Sequence, residues 1–383
     1  MPALSRADTS VLGRWWWTVD RWTLLTIATL IGLGYVMVLA ASPAVAQRIH
    51  EPRDWFILPQ VLVLALAGAV VVATSMLSPR DIRRLALAGG AIALALTAAT
   101  LLVGVEIKGA RRWIALPGIS VQPSEFLKPF FAVVTAWLLS EGQRLGGTRF
   151  GRYSGALAVL GLYAVIAFLL KSQPDMGMLV VITAVLLAQA FLAGLNLTLV
   201  GISIGGVALA AIAAFLVFPH VHSRVTRFLD PASGDNYQVT TALEAFGQGG
   251  LLGRGPGEGH IKDILPDAHA DFVFAVMGEE FGLVLCLAVL GLFAFIVLRA
   301  LLRLLRERDL FVVLASAGLV ASFGLQAFVN MASSLRLIPT KGMTLPFVSY
   351  GGSSVIAVAL GMGMLLALTR SRTRADTLWD ERR

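Results

Sequence analysis

Leu265-Pro266-Asp267-Ala268-His269-Ala270-Asp271-Phe272-Val273-Phe274-Ala275-Val276-Met277-Gly278-Glu279-Glu280 is the stretch around which the rest of the chain is organised. Before it lies a polar loop, 219–271. After it comes an apolar run, 272–298, long enough as a helix to cross about 30 Å of hydrocarbon. The junction therefore sets one carboxylate, Asp271, where water meets lipid. Everywhere else the loops are short, so this is the place with enough exposed chain to build a reaction site.

Working outward, comparable apolar runs fall at 22–41, 55–76, 84–104, 125–140, 155–171, 176–194, 198–218, 310–334 and 349–368. The expected fold class is an all-α polytopic membrane protein of about ten transmembrane helices, with one large extracytoplasmic loop between helices 7 and 8. It divides into a cytoplasmic N-terminal segment (1–21), a ten-helix membrane domain (22–369, with the 219–271 loop periplasmic) and a cytoplasmic tail (370–383). Composition excludes a soluble fold, since 57% of the 383 residues are hydrophobic and 14% are charged. The net charge of +8 is scattered between apolar spans and not gathered on one face. That argues against a nucleic-acid partner and for basic loops that fix topology on an anionic leaflet.

Orientation follows from Lys and Arg, which resist translocation. The termini and even-numbered loops hold 18 of them and the opposite loops 12, so both termini are expected to be cytoplasmic. Arg14-Trp15-Trp16-Trp17 and Arg21-Trp22 suit a headgroup layer and read as an interfacial anchor. No cleavage site follows a short apolar region, so the first span is expected to be retained. The single cysteine, Cys286, lies in an apolar run, which rules out an intrachain disulfide and makes thiol chemistry a poor expectation.

On the face expected to carry Asp271, three further places hold charges: Lys108, Arg111 and Arg112 followed by Gln122-Pro123-Ser124-Glu125-Phe126-Leu127-Lys128; Lys171-Ser172-Gln173-Pro174-Asp175; and Arg336 to Lys341. Ser124 or Pro123 is placed to start a helix with Glu125 in its first turn, and Glu125 and Lys128, three apart, share a face. Lys108 and Arg336 read as snorkelling side chains, and structural ion pairing competes with function for the others. A charge buried in a membrane helix costs roughly 2.5–3.5 kcal/mol, so several at one level point together to a charged cavity.

In the long loop, Val239, Ala242, Leu243 and Phe246 fall at i, i+3, i+4 and i+7 and predict a short amphipathic helix. The glycine-rich run 247–259 fits neither a dinucleotide fingerprint nor a P-loop and reads as a flexible loop, either touching substrate or merely connecting. His220, His222, His260 and His269 raise a zinc reading, weakened by the lack of an accompanying Cys or an H-E-x-x-H. No G-x-S-x-G supports a Ser-His-Asp hydrolase, and Ser353-Ser354 reads as the start of a helix.

Gln122 to Lys128, Gln173-Pro174-Asp175, His269-x-Asp271-Phe272, Gly278-Glu279-Glu280-Phe281-Gly282 and Pro346-Phe347-Val348-Ser349-Tyr350-Gly351-Gly352-Ser353-Ser354, in that order, resemble the SEDS family of bacterial wall polymerases. The resemblance spans Trp22 to Thr369, and Pro339-Thr340-Lys341-Gly342 is similar to its division-type rather than its elongation-type branch. It implies a ten-helix peptidoglycan glycosyltransferase that polymerises lipid II on the outer face of the cytoplasmic (inner) membrane, at the septum, with Asp271 as the essential carboxylate. It implies as partners a single-span class B penicillin-binding transpeptidase, divisome regulatory proteins and membrane lipid. One departure is Ala270, where the family usually has threonine, which removes a hydroxyl near Asp271.

That chemistry needs a base for the attacking sugar hydroxyl and positive charge for the departing diphosphate. Asp271 is the candidate base. Arg112, Lys128 and Lys341 are the candidates for diphosphate recognition, with Glu125, Asp175, His269 and Ser349 as further substrate-binding candidates. A divalent cation (Mg²⁺ or Mn²⁺) on Asp271 and Glu125 is one possible aid, and no organic cofactor is expected. Glu279 and Glu280 are expected to pair structurally. The rival readings are a lipid II flippase using Glu125, Lys128 and Asp175 as a relay, an elongation-type polymerase, and a non-catalytic divisome scaffold.

Overall fold

The computed structural model describes residues 10–107, 109–116, 119–144, 149–194, 197–230 and 236–371. Lys108, the first nine residues and the tail beyond 371 lie outside the described residues, as does the side chain of His220. The chain is a helical polytopic membrane protein, and each expected apolar run coincides with one helix. These are α2 (Arg21–Arg48), α3 (Ile57–Ser75), α4 (Pro79–Val103), α5 (Pro123–Arg144), α6 (Arg149–Ser172), α7 (Met176–Leu192), α8 (Leu197–Val217), α11 (Val273–Leu304), α12 (Leu310–Ser334) and α13 (Gly352–Leu368). By length and composition, six stretches among the described residues are suited to crossing a membrane: α2, α3, α4, most of α6, α11 and α12. The apolar helices α7 and α13 are shorter.

Helix starts follow side-chain chemistry. Asp20, Ser78, Asp175 and Asp309 each accept a backbone N–H of the turn they precede, and Pro79 and Pro123 occupy first-turn positions where a missing N–H costs nothing. In the centre, α5 packs against α4, α6, α7, α12 and α13, while α13 lies along α3. Most of the apolar window of α12 is buried inside the protein, unlike those of the other spans, whose leucines point outward as a bilayer-facing surface requires.

Three elements depart from expectation. The segment before Gln122 is a small antiparallel sheet, β1 (Val105–Ile107), β2 (Ala110–Leu116) and β3 (Ile119–Val121), in the order β1-β2-β3, with Glu106 opposite Arg111 and Ala115 opposite Ser120. The anchor forms a short helix, α1 (Val11–Thr18), tied down where the Trp15 indole donates to Ser75 Oγ. The polar loop is largely structured. It opens with α9 (Pro219–Leu229) and continues with α10 (Tyr237–Gly249), the amphipathic helix expected at 239–246.

The glycine-rich run is stitched into a break in α11. Gly282 adopts φ 76°, which interrupts the helical ladder. The carbonyls freed at Glu279 and Glu280 accept from Arg254 N and Gly255 N, and the freed Leu283 and Val284 N–H groups donate to Gly250 O and Leu251 O. The buried carboxylates finish the clamp. Glu279 accepts from the backbone N–H of His260, Ile261 and Lys262 at 2.7, 2.8 and 3.2 Å, and Glu280 from Gly257 N and the Lys262 ammonium. Their expected structural role is thus visible, with backbone amides as the main partners. The run is a built brace and not a loose connector, and none of 247–259 lines the main cavity.

At the opposite end of the bundle, buried Asp20 receives Arg299 at 2.6 and 2.8 Å and Arg303 at 3.0 Å, and Arg303 also donates to Thr369 O. One carboxylate thereby joins the start of α2 to the ends of α11 and α13. Burial alone would raise its pKa, but the Arg299 and Thr23 hydrogen bonds and the Arg303 charge outweigh that and hold it below the ordinary aspartate value.

Candidate active site

Asp271 sits in the turn just before α11, its N–H donating to Asp267 O at 3.0 Å. The loop leading to it is pinned by Arg48, at the far end of α2, which donates to Leu265 O at 2.7 Å. From α12, Asn330 Nδ2 donates to Asp271 O at 2.9 Å and to Met343 O at 2.6 Å, binding the turn that bears Asp271 to the segment that carries Lys341. That segment passes so close that a Cβ placed on Gly342 would lie 2.8 Å from Asp271 Oδ2. Any larger residue there would have to displace the Asp271 carboxylate.

The Asp271 side chain opens on a cavity of about 1030 Å³. One wall is apolar and lies along α3, where Leu58, Leu62 and Leu66, spaced at i, i+4 and i+8, are 65%, 62% and 55% exposed. The opposite wall is ionic. Asp175, the N-cap of α7, meets Lys341 Nζ at 3.4 Å and Arg112 Nη1 at 3.6 Å, while Arg112 also donates to Gln173 O and Pro174 O at 2.9 and 2.7 Å. Burial lowers the Lys341 pKa, the Asp175 carboxylate opposes this, and the charges of Arg224 and Arg112 add to the lowering.

A second ionic cluster forms the floor. Lys128 Nζ meets Glu125 Oε2 at 2.8 Å and Gln326 Oε1 at 2.5 Å, and Gln326 Nε2 donates to Thr344 O and to Ser354 Oγ, both at 3.1 Å. Gln326 and Asn330 are one turn apart on α12, so this helix holds both the charged floor and the Asp271 turn.

The family model described as cell cycle protein, FtsW/RodA/SpoVE, matches residues 21–374. The chain belongs to the FtsW/RodA/SpoVE family. A relative in Caulobacter vibrioides called probable peptidoglycan glycosyltransferase FtsW is 44% identical over 375 residues, covering 97% of this chain and 95% of its own. One of the same description in Trichlorobacter lovleyi is 36% identical over 361 residues, covering 90% and 92%. Among solved structures, a chain of a peptidoglycan synthase complex, studied for the coordination of polymerization and crosslinking, matches with a TM-score of 0.75 at 27% identity, covering 92% of this chain and 97% of that one. The rod shape determining protein RodA of Thermus thermophilus matches at 0.66 and 27% identity, with the same coverage.

In this FtsW/RodA/SpoVE chain, Asp271, Arg112, Glu125, Lys128, Asp175 and Lys341 converge on one cavity, as the sequence led one to expect. His269 and Ser349 lie outside this group. Neither lines the cavity; both support its wall from behind. The buried His269 ring stacks on Phe56 and meets Tyr350 edge-on, each at 4.9 Å between centroids. Ser349 Oγ donates to Ala270 O at 2.6 Å and accepts from Leu345 N at 2.8 Å. The backbone at Ala270 is therefore held from Ser349, without a hydroxyl at position 270.

The donor set does not make a protein cage for a divalent cation. Among the described residues no group of three or more His, Cys, Asp or Glu side chains converges, and Glu125 is already held by Lys128. Among the described residues His222, His260 and His269 form no such group either, and His220, the fourth histidine of the zinc reading, has its side chain outside them. Gln326 and Gln60, which line the cavity, and Asn330, which does not, stand outside the sequence-predicted set, and Gln60 donates to Ser349 O at 3.1 Å. Polar amides one turn apart inside an otherwise apolar span were the available signal for Gln326 and Asn330.

Proposed function

We propose that this protein is a peptidoglycan glycosyltransferase of the division type, which polymerises lipid II at the outer face of the cytoplasmic membrane with Asp271 as general base. The observation that carries the reading is the pairing, in one cavity, of a carboxylate with an ionic wall and an exposed apolar wall on α3. That combination suits an amphiphile with an anionic head. In the reaction, an acceptor sugar hydroxyl gives its proton to Asp271 while its oxygen bonds to the anomeric carbon of the donor. The bond from that carbon to the diphosphate breaks, and its electron pair leaves with undecaprenyl diphosphate. A positioned base is worth about 10² to 10⁴-fold in rate.

The curated relatives named as glycosyltransferases support the chemistry, and their FtsW designation supports division over elongation. The Lys and Arg distribution supports cytoplasmic termini, and the division role supports a septal site. A likeness to a complex that couples polymerization with crosslinking supports a penicillin-binding partner, which we take to be a single-span class B transpeptidase working with divisome regulators.

The test is glycan polymerisation from purified lipid II by the protein with that transpeptidase, wild type against Asp271→Asn at equal folding. Loss of polymer by about two orders of magnitude is the expected result. Equal activity would remove Asp271 as the base, and no polymer from either would bring the flippase and scaffold readings forward.

A further inference from the structure

The cations that line the cavity differ in how far the protein itself already uses them. Lys128 is buried and held by Glu125 and Gln326. Arg112 spends Nε and Nη2 on the carbonyls of Gln173 and Pro174 and turns Nη1 to Asp175, which also holds Lys341. A diphosphate recruited by any of these would compete with bonds already made. Arg224 and Arg227 line the same cavity from another element, α9; Arg224 is exposed, and Arg227 is itself engaged, its Nε donating to Ser223 O at 3.2 Å. Standing three residues apart, they share a helical face.

We propose that Arg224, supported by Arg227, is the part of the site that grips the diphosphate of the lipid-linked donor and of the departing isoprenyl diphosphate. This rests on the polymerase reading and adds to it residues on the large loop. Three observations carry it. Arg224 lines the same cavity as Arg112, Arg227, Asp175 and Asp271, so it shares that space with the ionic wall and the carboxylate. A guanidinium presents paired N–H donors that match phosphate oxygens, which a lysine cannot do. And α9 is amphipathic, with Val221, Val225 and Phe228 less exposed than His222, Ser223 and Arg224, as suits a helix at headgroup depth where a lipid diphosphate lies.

The local field points the same way. The charges of Arg112 and Arg224 both press on the Lys341 ammonium, and Arg112 and Arg227 on Arg224. An anion of two or more charges placed among them would relieve that repulsion. An anionic phospholipid headgroup offers related phosphate chemistry, so the experiment has to separate the two sources.

The full-length protein in detergent is titrated with undecaprenyl diphosphate, with undecaprenol, and with phosphatidylglycerol as competitor, for wild type, Arg224→Gln, Arg224→Lys, Arg227→Gln and Asp271→Asn. Expected is a diphosphate affinity at least about ten-fold weaker in Arg224→Gln, the scale of one charge-assisted hydrogen bond. Arg224→Lys should restore it only in part, Arg227→Gln should weaken it less, and undecaprenol binding should not move. The KM for lipid II should rise in Arg224→Gln while kcat falls little. Wild-type diphosphate affinity in Arg224→Gln, at unchanged melting temperature, would overturn the assignment, as would phosphatidylglycerol competing as well as undecaprenyl diphosphate. Asp271→Asn separates the two claims. If it stops polymerisation but still binds diphosphate, both stand; if it polymerises normally while Arg224→Gln loses diphosphate, the base is wrong and the arginine site remains.

Discussion

Asn330→Ala tests whether the base depends on a residue that does not line the cavity. The side chain spends both amide hydrogens on buried backbone, on Asp271 O at 2.9 Å and Met343 O at 2.6 Å. Truncation strips both carbonyls of that donor, at about 1–3 kcal/mol for each left unsatisfied. The asparagine Oδ1 is itself buried without a partner among the described residues, so its removal gives some of that back. The net expectation is about 2–4 kcal/mol of lost stability. The kinetic effect should be the more telling. Released from α12, the turn carrying Asp271 can shift relative to Lys341, and a misplacement of about 1 Å can cost about 10²-fold in rate. Asn330 makes no contact with the cavity, so kcat for polymerisation should fall while KM for lipid II holds. Asn330→Asp, equal in size but unable to donate, should be worse than alanine because it sets a carboxylate against two carbonyl oxygens. The assay is polymerisation from lipid II beside a thermal melt of the purified protein. Unchanged turnover and melting in Asn330→Ala would refute the idea that α12 positions the base.

Gly342→Ala would place a methyl 2.8 Å from Asp271 Oδ2, and the expected result is a large loss of kcat with a folded protein, read by polymer yield and melting temperature. Glu279→Gln keeps the shape but loses the charge that three backbone N–H groups share; about 2–4 kcal/mol of stability should go, and limited proteolysis should cut faster within 253–259. Asp20 gives a pH signature. Its folded pKa lies below the ordinary aspartate value, so its contribution is complete above that value and is lost as pH falls through it towards the folded pKa. The melting temperature should therefore drop on acidification below about pH 4, and Asp20→Asn should be less stable at neutral pH with a flatter acid limb. Parallel acid limbs in the two proteins would show that this cluster does not couple to pH.

Much of the fold was legible because lipid leaves a strong mark on sequence. A backbone in hydrocarbon must satisfy its own hydrogen bonds, so each long apolar run had to be a helix, and each is. The short sheet was missed for the converse reason. Strands of three, seven and three residues carry little periodicity, and Lys108-Gly109 reads as a generic turn. α9 escaped notice because His220, His222, Arg224 and Arg227 make it look like polar loop, although Val221, Val225 and Phe228 hold a helical stripe. The ionic core of the site was visible because intramembrane charges are rare. Motif membership alone does not distinguish residues that line the cavity, such as Asp175, from His269 and Ser349 behind it.

The arrangement around α11 explains why residues remote from substrate should govern turnover here. The forward half of that helix, 273–281, is held at one end by Asn330, through Asp271 O, and at the other by the brace on Glu279 and Glu280. Between these points the helix is nearly all buried and has little room to shift. Gly282 separates this half from the longer half, 283–304, and the brace binds both sides of the break, through Glu279 O and Glu280 O before it and the Leu283 and Val284 N–H groups after it. A glycan polymerase has to accept a growing chain and two lipid tails while keeping one carboxylate aligned with a sugar hydroxyl. Stiffness between Asp271 and Glu280, secured by the brace across Gly282, serves the second demand. On this account Gly282→Ala, which disfavours the positive φ and crowds the brace backbone at Leu251 and Gly253, should damage activity through the brace although it lies about three helical turns from the base.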